Sequence, residues 1–176
     1  MSSVELLLMG LLAGLGIGAW LRRSAVRVQR QADAENRQRW LALREVLWTL
    51  PQLPDDAARI EAVQGAVAHT TSFRAQLLLS EMGHITDDQI AAAPFFVEPH
   101  LVGMAIRQRQ RISSASLAPL GWGCAYIPLC HGTQVRGVLV LAMAESAMWR
   151  PEELACCDIL AQSLSANLSA AMALKQ

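Results

Sequence analysis

The chain has 176 residues, enough for one domain with a real core plus an appendage. Its formal net charge is zero, which argues against a general nucleic-acid binder, whose phosphate contacts need a basic excess. Hydrophobic residues make up 53% of it, more than an ordinary soluble domain carries, and its four cysteines form no evident extracellular disulfide framework.

The first element is apolar. Leu6 to Leu21 (LLLMGLLAGLGIGAWL) carries no charge and no proline. With Val4 and Glu5 at its edge it reaches the lower limit of a membrane span, roughly 17–20 residues. Arg22, Arg23, Arg27 and Arg30 follow, and no basic residue precedes it, unlike a secretory signal peptide. The positive-inside rule then predicts a single-pass inner-membrane protein, with its N-terminus outside and its globular domain cytoplasmic. Gly10, Gly14 and Gly18 recur every four residues, a flat stripe that lets a second helix approach closely. The partner implied is another copy of the chain or a membrane protein; the bland reading is that glycine is common in membrane helices.

Arg22 to Arg44 is rich in Arg and Gln and has no Gly or Pro, so it reads as a helical connector. Leu43, Val46, Leu47 and Leu50 follow at helical spacing, and Pro51 and Pro54 stop the helix. The expected organisation is an anchor over 1–21, a connector over 22–53 and a globular domain over 54–176.

In that domain Asp55 and Asp56 are placed to cap a helix with Ile60, Val63 and Val67 on its inner stripe. Phe73 to Ser80 reads as a strand. Thr86-Asp-Asp-Gln89 matches a capping pattern for a short helix ended by Pro94. Val97 to Arg109 reads as a helix with Pro99 in its first turn. Arg111 to Ser114 is a short strand. Cys124 to Leu129 and Val135 to Met143 are strands joined by the turn His131-Gly132-Thr133-Gln134. Arg150-Pro-Glu-Glu153 opens a last helix, whose Leu154, Cys157, Ala161, Leu164 and Leu168 make a packing seam. The order of elements predicts an α+β domain with an antiparallel sheet.

Tyr126-Ile-Pro-Leu129, the polar turn, Gly137-Val-Leu-Val-Leu141 and Trp149-Arg-Pro-Glu-Glu-Leu154 with the helix after them resemble the C-terminal half of a GAF domain. The upstream elements fit more loosely, and the resemblance covers roughly Pro54 to Leu174. It implies a five- or six-stranded antiparallel sheet flanked by helices, binding a small molecule or serving as a dimerisation module. The chain departs from the family between His84 and Pro94, where the second strand has no clear apolar run. It also lacks the Asn-Lys…Phe…Asp-Glu pattern of cyclic-nucleotide binders.

The reactive residues are weighed against plain packing. Cys124 and Cys130 share a strand parity but are six residues apart, about 20 Å on a regular strand, too far for one metal or one disulfide. Cys156 and Cys157 are adjacent on a helix, and buried cysteine is commonly a small hydrophobe. No metal and no cofactor is expected. A pocket, if formed, lies between the central helix and the sheet, lined by Phe96, His100, Met104, Cys124 and Tyr126; the bland reading is that these side chains fill a core. The function expected is a non-catalytic sensor or regulatory subunit, working through helix-mediated association as a homodimer or with a membrane partner, without nucleic acid. The alternative is a degenerate scaffold that binds no ligand. A methionine sulfoxide reductase-like enzyme using Cys124 comes last, because a working thiol needs a lowered pKa that nothing near it promises.

Overall fold

Alternation along two strands builds the centre of the fold. In β3 (Trp122–His131) and β4 (Gln134–Ala144), odd-numbered Ala125, Ile127, Leu129, Leu139, Leu141 and Met143 face one side of a sheet. Even-numbered Cys124, Tyr126, Val138, Val140 and Ala142 face the other. In this computed structural model residues 26–27, 29–80, 84–114, 122–144 and 150–168 are described.

The chain divides into two units, Met1–Leu41 and Ala42–Gln176. In the first, residues 29–41 are helical and almost wholly exposed, Trp40 and Leu41 included. The second begins with helical residues 42–49 (α1) and a 3-10 turn, Leu50–Gln52, which Pro51 accommodates. There follow α2 (Asp56–Thr70), β1 (Arg74–Leu79), α3 (Asp87–Ala91), α4 (Pro99–Gln108), β2 (Ile112–Ser113), β3, β4 and α5 (Pro151–Asn167).

The helix starts follow the sequence. The Asp55 carboxylate accepts from Ala58 N at 2.7 Å, and Thr86 Oγ1 accepts from Gln89 N at 3.4 Å, so each start is capped by its own side chain. Pro99 and Pro151 sit in first turns, where their missing N–H costs nothing. At the far end of α5, Arg136 donates to the carbonyls of Ser165 and Leu168, placing a cation at the negative end of the helix. At its near end, Ser72 Oγ donates to Glu153 Oε2 at 3.0 Å, tying the α2–β1 loop to the first turn of α5.

All strand pairs are antiparallel, in the order β1-β4-β3-β2. The β3–β4 turn is Gly132-Thr133; Gly132 has φ 57° and Thr133 does not have a positive φ, as a type II′ hairpin requires. The odd-numbered face packs against α1, α2 and α5, with Leu43, Leu50, Val63, Val67, Cys157 and Leu160 buried. The even-numbered face packs under Val97 and α4.

Two expectations are corrected. The sheet has four strands among the described residues, not five or six. The physical reason lies after β1: His84-Ile85-Thr86 offers no alternating apolar run, and the chain enters the α3 cap instead. The span expected over Leu6–Leu21, and with it the glycine stripe, lies outside the described residues. Among the described residues no helix is long and apolar enough to cross a membrane, so the single-pass inner-membrane placement does not stand.

Candidate functional site

β3 and the segment leading into α4 form the candidate site. Strand parity points Cys124 and Tyr126 to the same face, and both are buried. Tyr126 is the chain's one tyrosine and is fully buried, so its hydroxyl must find a partner inside the protein. It accepts from Glu98 N at 3.1 Å. Cys124 Sγ donates to Phe96 O at 3.5 Å. The Tyr126 hydroxyl neighbours the Cys124 thiol on the same face and partly offsets the rise in its pKa. Burial raises both groups above their ordinary values; the Glu98 N–H opposes the rise at Tyr126, while the Glu98 charge adds to it at both.

The other expected lining residues sit differently. The Phe96 carbonyl meets Cys124, while the Phe96 side chain is 56% exposed. His100, in the first turn of α4, is exposed, with Nε2 3.8 Å from Glu98 Oε2. Met104 is half-buried on α4. The structure therefore joins Cys124, Tyr126 and the Phe96 backbone and leaves the His100 imidazole in solvent. Sequence reasoning missed Glu98, whose contribution is a backbone N–H. The signal available was the lone inward tyrosine, which needed a partner.

The remaining thiols are separate. None of the four cysteines is in a disulfide. Cys130 is exposed at the end of β3, where burial raises its pKa and Arg109 opposes the rise. Burial pushes Cys157, on the opposite face, up to about 12. Among the described residues no three His, Cys, Asp or Glu side chains converge as metal ligands.

No family model matches the chain, and no curated protein does. Solved structures do. The GAF domain of a phosphoenolpyruvate-protein phosphotransferase from Coxiella burnetii is 20% identical, with a TM-score of 0.58, covering 75% of this chain and 93% of that one. The corresponding Acinetobacter domain is 14% identical, with a TM-score of 0.61, covering 79% and 97%. The fold is GAF-like. The GAF domain of the Escherichia coli potassium sensor histidine kinase agrees, at 17% identity and a TM-score of 0.58, covering 77% and 99%. At such identities the likeness is one of fold, so the site of this GAF-like domain is read from its own residues.

Proposed function

We propose that the chain is a non-catalytic regulatory module that responds to a small molecule at the α4 face and signals through helix-mediated association, with a second copy or another protein. The solved domains it resembles come from a sensor kinase and from phosphotransferases, which supports a sensory or regulatory role. The observation that carries the non-catalytic part is the setting of Cys124. It is 3% exposed, hydrogen-bonded to a carbonyl and raised in pKa by burial, the reverse of what a nucleophilic thiol needs. In this reading the ligand meets Cys124 and Tyr126 on the sheet beneath residues 95–98, with Phe96, His100 and Met104 at the rim.

The test is thermal unfolding of the full chain against libraries of metabolites and nucleotides. A ligand at 100 times its Kd stabilises by about 2.7 kcal/mol, a shift of several degrees for a domain of this size. A flat response across the libraries favours the second reading, a scaffold that binds no ligand. One observation speaks for that reading: the polar groups of Cys124 and Tyr126 are already satisfied by the chain's own backbone.

A further inference from the structure

The helices on the two sides of the sheet are held unequally. α5 buries Cys156, Cys157, Leu160, Ala161 and Leu164. α4 buries Val102 and Ala105, and α3 buries no side chain. Between α3 and α4, residues 92–98 form neither helix nor strand. Resistance to local opening comes largely from buried apolar contacts, so the α4 side is the weaker one.

On that weaker side four polar groups pair between one short segment and β3. Glu98 N–H donates to the Tyr126 hydroxyl, and beside it Cys124 Sγ donates to Phe96 O. Both bonds end on the same short segment. They cross an otherwise apolar cluster of Leu78, Val97, Val138 and Val140. Opening the segment leaves the inner groups of these pairs without partners unless water enters.

We propose that residues 95–98 are a strap clasped to β3 by Tyr126 and Cys124, and that the α4 side opens by releasing this strap while the α2/α5 side stays closed. The strap covers the face assigned above to a ligand, and its role as a gate to that face rests on that reading. The clasp itself needs no ligand.

The native thiols report each part separately. Cys130 is exposed, Cys124 lies under the strap, and Cys156 and Cys157 lie on the other face. The full chain is alkylated with N-ethylmaleimide in increasing, sub-denaturing urea and read by peptide mass spectrometry. Each rate is divided by that of the same peptide in the denatured chain. Cys130 is expected to react first. Cys124 should then react at least about tenfold faster than the Cys156-Cys157 peptide, with little dependence on urea. The Cys156-Cys157 peptide should rise steeply with urea, as global unfolding does. Tyr126→Phe should raise the Cys124 rate by about tenfold, the effect of losing one internal hydrogen bond. Equal rates and equal urea slopes for the two faces would overturn the proposal, and so would a Cys124 rate unmoved by Tyr126→Phe. No ligand is present, so failure here is distinct from an empty ligand screen.

Discussion

The side of the sheet under α2 and α5 is closed by many leucines, while the side under α4 has a smaller cluster, mostly valine and alanine around Leu78 and Tyr126, and two hydrogen bonds to the segment above it. Both sides are written by the same two strands. The odd positions of β3 and β4 carry Leu129, Leu139 and Leu141; the even ones carry Cys124, Tyr126, Val138 and Val140. Large apolar groups give stability without direction, whereas hydrogen bonds hold one geometry and are lost together when it opens. The difference separates a side that supports the domain from a side that is able to move.

The comparison is broken most directly by truncating one side at a time. Leu160 is fully buried under the odd-numbered face, and Leu160→Ala should cost about 3 kcal/mol of global stability in urea unfolding. Val102→Ala, on α4, removes less volume and should cost about 1–2 kcal/mol. Its effect should appear first at Cys124. Equal losses, with equal exposure of Cys124 and Cys157, would mean that the two sides open as one.

Gly137 belongs to both sides. A Cβ there would lie 2.5 Å from the Leu78 carbonyl oxygen across the β1–β4 pairing. Gly137→Ala must push backbone against backbone, at a cost of about 1–3 kcal/mol. Because the seam supports both faces, alkylation of Cys124 and of the Cys156-Cys157 peptide should rise together. A rise at Cys124 alone would shift the weak point from the strap to the β1 pairing.

Alkaline titration sharpens the contrast on the closed side. Burial holds the Cys157 thiol at about 12, with Cys156, Asp158 and Glu153 adding to the rise and Arg111 opposing it. The folded thiol keeps a proton that the unfolded thiol gives up. Its stabilisation is therefore full below the unfolded pKa, about 8.5, and is lost as pH rises toward 12. The loss is about 1.4 kcal/mol per pH unit within that window. Cys157→Ala should flatten the decline in urea midpoint between about pH 8 and pH 10. An unchanged slope would place the alkaline sensitivity elsewhere.

Much of this architecture was legible in the chain. The caps at Asp55 and Thr86, the prolines at Pro99 and Pro151, and the hairpin around Gly132 all announce themselves through local chemistry. The parity of Cys124 and Tyr126 placed them on one face. Other features were not legible because they depend on contacts distant in sequence. Glu98 enters the site through an N–H that every non-proline residue has. Arg136 reaches the end of α5 across 32 residues. The expected lining of Phe96, His100 and Met104 followed helical spacing, but Phe96 precedes α4, and the His100 side chain turns to solvent beside Glu98. A sheet of five or six strands was implied by resemblance alone, and resemblance does not supply the apolar run that a strand after β1 needs.

The smallest expected effect concerns the join between the two sides. Arg111 leaves α4 for β2, and its guanidinium pairs with Asp158 on α5 at 2.5 Å, bridging the two layers around the edge of the sheet. Both side chains are more than a third exposed, so Arg111→Met should cost less than about 0.5 kcal/mol. Its signature is in the pH dependence. Burial raises the Asp158 carboxyl while Arg111 pulls it back. Without Arg111 it rises further. A raised carboxyl binds its proton more tightly folded than unfolded, so stability declines as pH climbs from the ordinary carboxylate range through the raised value. Arg111→Met should therefore lose more stability than the wild type as pH climbs from the ordinary carboxylate range, about 4, measured as paired melting temperatures. If the two proteins decline in parallel, the pair is a surface contact, and the two sides are joined only through the sheet they share.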